Sequence, residues 1–83
     1  MPVVLTPEAI KQFAAIPKKD RDRLVKALQD VAADLSVRQP FVTEMVGQPG
    51  VWRARKGKWR AVYRLVDGDV VVDAAGHRGE IYE

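Results

Sequence analysis

The chain has 83 residues, 47% of them hydrophobic and 30% charged, and a net charge of +3. That length allows one domain spanning residues 1–83, and a chain this short buries only about 60–65% of the surface its unfolded form exposes, which leaves room for one core and a surface site. With no cysteine and a single histidine, His77, a disulfide framework, a thiolate metal site, a cysteine nucleophile and a histidine-based zinc centre are all unexpected, and no cofactor or metal is anticipated. The apolar runs are too short for a membrane span. The N-terminus shows no basic start followed by an apolar core, so no signal peptide is expected and the cytoplasm is the expected compartment.

Val3-Val4-Leu5 reads as a first strand. In Thr6-Pro7-Glu8, Thr6 is suited to cap free backbone N–H groups, Pro7 to open a helix, and Glu8 to face its positive end. Ile10, Phe13 and Ala14 are expected to share the buried face of that helix. Pro17 interrupts it and starts a second helix, in which Leu24, Leu28, Val31 and Leu35 recur at spacings of four, three and four. The two helices are expected to form a hairpin. Pro40, Gly47, Pro49 and Gly50 mark residues 36–50 as a connector, with one short strand near Phe41–Met45.

In the last third the period changes to two. Val51–Arg55, Lys58–Val66 and Asp69–Ala75 read as strands, joined at Lys56-Gly57 and Asp67-Gly68 by two-residue turns. Those turns predict Arg55 opposite Lys58, Arg53 opposite Arg60, Tyr63 opposite Val72 and Ala61 opposite Ala74. Trp52, Ala54, Trp59, Ala61, Tyr63, Leu65, Val70, Val72 and Ala74 then share one face, which must lie against the helices. Arg53, Arg55, Lys58, Arg60 and Arg64 share the other with Val62, Val71 and Asp73.

From Arg53 to Arg64 there are six basic residues and no acid. Like charges opposite each other across a sheet oppose folding, so such a face asks for an anion. Scattered lysines would read as a solubilising surface; four arginines on one face, each a planar fork of donors, read as a phosphate-binding surface. Arg78 follows the last strand and is expected near Arg60. His77 and the near-terminal Tyr82 are weaker candidates, since a lone histidine is usually structural and a terminal tyrosine usually packs, although it is also able to stack on a base.

The segment Val51-Trp52-Arg53-Ala54-Arg55, the run Gly57-Lys58-Trp59-Arg60-Ala61-Val62-Tyr63, the apolar strand after Asp67-Gly68, and the ending Gly76-His77-Arg78 with Tyr82 resemble the RelE/ParE toxin superfamily of type II toxin–antitoxin systems. The resemblance covers nearly the whole chain. It implies an α+β fold, with two N-terminal helices as a hairpin on one face of a twisted, mainly antiparallel four-stranded sheet. It implies a toxin partnered by a cognate antitoxin. In the RelE-like branch the activity is metal-independent cleavage of mRNA in the ribosomal A site; in the ParE-like branch it is inhibition of DNA gyrase. Arg78 and Tyr82 together favour the RelE-like branch. Carried over by motif, Arg60, Arg78, Tyr82 and Arg53 are the catalytic candidates. Arg55, Lys56, Lys58, Arg64 and His77 are candidates for RNA binding. Arginine stays protonated and is a poor base, so His77 or Tyr82 is the better candidate for the proton steps. Val51, where some RelE-like sequences carry lysine, is a departure from the pattern.

Overall fold

The computed structural model describes residues 2–79. Five strands and two helices follow in the order β1 (Val3–Leu5), α1 (Pro7–Ala14), α2 (Lys18–Ala33), β2 (Val42–Glu44), β3 (Val51–Lys56), β4 (Trp59–Val66) and β5 (Asp69–His77). They build one sheet in the order β1-β5-β4-β3-β2. The sheet has five strands rather than the expected four: the short strand expected near Phe41–Met45 forms as β2 and joins the sheet as an edge strand beside β3. Only β1 runs parallel to its neighbour, β5.

Thr6 caps α1 as expected, its Oγ1 accepting from the Ala9 N–H at 3.2 Å, with Pro7 in the first turn. The buried face of α1 differs from the expectation: Ala9 and Phe13 are buried, with Ile16 just beyond, whereas Ile10 is 56% exposed and Ala14 is also exposed. A helix of two turns needs only a narrow stripe against the sheet, and that stripe runs 9-13-16. In α2, Leu24, Ala27, Leu28, Val31 and Ala32 are buried, and the helix stops at Ala33, two residues before the last member of the periodic stripe. The helices do not form a hairpin packed on itself. Each lies on the sheet, α1 against β5 and α2 mainly against β3, β4 and β5.

The face assignment holds on β3 and β4 except that Arg60 is buried, while Ala74, expected on the core face, lies opposite Val62 on the outer one; the first hairpin is paired two residues away from the expected register. Its turn is Gly57-Lys58, not Lys56-Gly57, so Arg55 lies opposite Arg60, Ala54 opposite Ala61, Arg53 opposite Val62 and Trp52 opposite Tyr63. Gly57 takes φ +59°, a left-handed value that suits glycine at the first central position of a tight hairpin turn. A shift of two preserves the alternation, which is why the inward positions of β3 and β4 stay as expected. The second turn is Asp67-Gly68 as expected, both residues with positive φ, and Tyr63 pairs with Val72.

A bulge at Asp73 then changes the count, so that Ala61 lies opposite Ala75 rather than Ala74. The α1 region repairs the break in the ladder: Thr6 Oγ1 donates to the Asp73 carbonyl at 3.4 Å, and Gln12 Oε1 accepts from the Ala75 N–H at 2.8 Å. The result is a row of alanines, Ala54, Ala61 and Ala75, across three strands. All three are buried. They share one buried cluster with Leu24 and Leu28 of α2, close packing that a larger residue in the row would disrupt.

Candidate nucleic-acid interface

The β3–β4 turn carries the basic end of the sheet. Arg55, Lys56, Gly57, Arg60 and Arg78 line one open cleft there, closed on its far side by Pro40 and Phe41 of the connector. Arg55 donates its backbone N–H to the Phe41 carbonyl at 3.0 Å, fixing connector to strand. The Lys56 ammonium sits 4.5 Å from the centre of the Phe41 ring, a cation–π contact that holds the lysine at the rim. Arg78 is brought in by its backbone N–H, which donates to the Lys58 carbonyl at 2.8 Å. The expected meeting of Arg60 and Arg78 is therefore present.

Arg60 does not lie on an open face. It is only 8% exposed. Its Nη1 donates to the Gly57 carbonyl at 2.9 Å and to the Trp59 carbonyl at 3.0 Å. The guanidinium thus clamps the turn from beneath while lining the cleft. Sequence alternation places Arg60 beside Arg55 but carries no information about a turn that folds its carbonyls back onto the side chain.

Two other expected members of the basic surface are used elsewhere. Arg64 makes a bidentate pair with Asp73, Nε to Oδ2 at 2.6 Å and Nη2 to Oδ1 at 3.0 Å, and this pairing raises the Arg64 pKa above its ordinary value. Asp73 lies at the bulge, on the outer face expected for it. His77 lies opposite Trp59 in the sheet, and its ring packs edge-on against that indole with centroids 5.6 Å apart. Its Nδ1 accepts from the Gly79 N–H at 3.3 Å. His77 is thus turned to the helix-facing side instead of the Arg55–Arg60–Arg78 cleft. Arg53 is half-buried on β3, opposite Val62. Lys58 is exposed in the turn itself. Tyr82 lies outside the described residues.

No carboxylate is found among the described residues that line the cleft. Nor do three or more His, Asp or Glu side chains among the described residues gather where they could hold a metal ion. No described helix is long and apolar enough to cross a membrane.

The model of a known family, the ParE toxin of type II toxin–antitoxin systems, parDE, matches residues 3–82. The chain belongs to this toxin family. The toxin shares its fold with solved RelE structures, as the superfamily resemblance implied. The isolated E. coli RelE toxin is 20% identical, with a TM-score of 0.78 over 92% of this chain and 82% of that one. The RelE–RelB complex from Pyrococcus horikoshii gives 21% identity and a TM-score of 0.76 over 96% and 97% of the two chains. The RelBE2 toxin–antitoxin complex from Mycobacterium tuberculosis gives 22% and 0.75 over 93% and 96%. No curated protein matches the toxin in sequence.

Proposed function

We propose that this toxin is a metal-independent endoribonuclease that cleaves mRNA in the ribosomal A site and so arrests translation. The observation that carries the reading is the convergence of Arg55, Arg60 and Arg78 on one cleft whose described lining contains no carboxylate. A phosphodiester placed there meets guanidinium donors from two strands and from the turn after β5. In the reaction the ribose 2′-hydroxyl gives up its proton to a base as its oxygen bonds to the adjacent phosphorus, the bond from phosphorus to the 5′-oxygen breaks, and the leaving oxygen takes up a proton, giving a 2′,3′-cyclic phosphate and a 5′-hydroxyl. Charge builds on the non-bridging oxygens, and donors already aimed at them lower the barrier. Arg78, exposed and anchored through its backbone, is the residue we assign to that charge. Arg55 and Lys56 hold the RNA backbone. Arg60 keeps the turn in shape and adds its charge from below. With His77 packed against Trp59, we assign proton transfer to Tyr82, the motif tyrosine. Modest chemistry of this kind relies on the ribosome to position the RNA.

Toeprinting of programmed ribosomes tests the reading. Arg78→Ala should slow A-site cleavage by about 10²–10³-fold, the usual cost of one lost transition-state donor, and Tyr82→Phe should slow it while retaining binding. A second reading, inhibition of DNA gyrase, is favoured by the family whose model matches. Intact A-site mRNA together with gyrase-linked DNA breaks in expressing cells would overturn the nuclease and establish that reading.

We also infer that the cognate antitoxin neutralises the toxin by laying an acidic, partly apolar segment over the basic end and the neighbouring Val62 and Val71. Such a segment folds on binding.

A further inference from the structure

The basic surface does not stop at the cleft. On the opposite side of the β3–β4 turn, Arg23 and Asp20 of α2 face Lys56, Gly57, Lys58 and Trp59 across a second hollow. Lys56 and Gly57 line both hollows, so the two meet over the tip of the hairpin. The charges along α2 are not equivalent. Lys18 is paired with Asp22 at 2.7 Å and Lys26 with Asp30 at 2.5 Å. Arg23 and Lys58 have no side-chain partner among the described residues, and Asp20 is the one carboxylate among the described residues lining the second hollow. A continuous path of cations therefore runs from Arg78 and Arg55, over Lys56 and Lys58, to Arg23.

We infer that this second hollow is a subsite for a further phosphate of the same single-stranded RNA, so that the strand bends over the β3–β4 turn with one phosphate on each side. The inference rests on the nuclease reading and specifies its substrate: a strand of at least two phosphates rather than one scissile bond. Charge complementarity identifies the occupant. An acidic protein segment would also be attracted, but it would not show a defined change per phosphate. The packing of Trp59 against His77 on the floor gives the hollow a firm base, and the Arg60 clamp gives the turn a fixed shape. A strand that must bend over a rigid tip is held in register by the tip itself.

The test uses the full-length toxin and uncleavable 2′-O-methyl RNA, either a dinucleotide with one phosphate or a dodecamer, titrated over a salt series. For single strands, each lost phosphate contact reduces the slope of log affinity against log salt by about 0.7. The double variant Arg23→Gln/Lys58→Gln, which removes both cations of the one further phosphate, should therefore flatten the dodecamer slope by about 0.7, and leave dinucleotide binding unchanged. Asp20→Asn should tighten dodecamer binding alone. Arg78→Ala should weaken both probes. An unchanged dodecamer slope in the double variant, or equal losses on both probes, overturns the second subsite while leaving the first standing. If wild-type toxin binds neither probe, the second subsite falls, whereas the nuclease reading itself falls only if toeprinting finds A-site mRNA intact.

Discussion

At the β3–β4 turn, Arg55, Arg60 and Arg78 gather around a cleft without a described carboxylate. At the other end of the same strands, Val31, Leu35, Val42, Trp52, Tyr63 and Leu65 line an apolar hollow of about 110 Å³. Its rim charge is disposed of: the Arg38 guanidinium lies 5.3 Å from the Trp52 ring centre, and Arg64 nearby is held by Asp73. Both ends are built from strands that alternate in the same way. They differ in whether a neighbour is available to each cation. Strand β5 supplies Asp73 to Arg64, whereas the tight turn supplies backbone carbonyls to the Arg60 guanidinium and to the Arg78 N–H. The difference teaches that the basic surface is smaller than the basic sequence. It comprises the turn and its two flanks, not the whole outer face of the sheet.

The sharpest way to separate the ends is to truncate a side chain at the apolar one. Tyr63 is 2% exposed, and Tyr63→Ala should cost about 3–5 kcal/mol, as for other large buried aromatics, measured by urea unfolding. Arg78→Ala at the basic end should leave the unfolding midpoint where it is. Equal destabilisation by both changes would make the basic end part of the core instead of a site.

A smaller effect comes from the Tyr63 hydroxyl. Burial pushes its pKa up to about 12, against about 10 in the unfolded chain. Between those values the native state holds the proton and the unfolded state does not, so stability is complete below about pH 10 and declines as pH rises towards 12. The loss should total about 2–3 kcal/mol. In Tyr82→Phe toxin the single remaining tyrosine should titrate near 12 by ultraviolet absorbance; titration at the ordinary value would place Tyr63 in water.

Arg60→Ala should cost about 1–3 kcal/mol, because two turn carbonyls lose a charged donor, with Arg60→Lys restoring part of it. Faster amide exchange in the β3–β4 turn should accompany the loss. A fully stable Arg60→Ala protein would mean that the clamp contributes nothing. The smallest effect belongs to Arg64 and Asp73. Their pair is largely exposed, and a double-mutant cycle should give about 0.2–1 kcal/mol, decreasing with salt. A coupling above that range would place the pair in an environment far less wet than the structure shows.

How much was legible can be judged from these residues. Alternation over β3, β4 and β5 placed Trp52, Ala54, Ala61, Tyr63, Val70 and Val72 inside and Arg55 and Arg64 outside, and the X-Gly pairs located the second turn and the neighbourhood of the first. The register of the first hairpin was not legible, because Lys56-Gly57 and Gly57-Lys58 both suit a tight turn and preserve the same alternation. The row of alanines beneath α2 distinguishes them, and that row is a property of packing. Alternation did place Arg64 and Asp73, nine residues apart, on one face; the bidentate geometry of their pair was not legible, since it depends on where the strand bulges.

What this sequence determined alone was therefore local and periodic: the Thr6 cap, the breaks at Pro17 and Gly57, the inward and outward faces of the strands, and a cluster of cations between Arg53 and Arg64. Propensity and period act over a few residues, and they suffice for such features. What only the tertiary structure decided was which cations remain available. Arg64 was removed by a carboxylate from the next strand, Arg60 was drawn beneath its own turn, His77 was turned to Trp59, and Arg78 was delivered to Arg55 by a hydrogen bond to Lys58. Each of these depends on groups far apart in the chain or folded back through a turn. A charge is neutralised by whatever neighbour three-dimensional packing provides, not by the residue beside it in sequence.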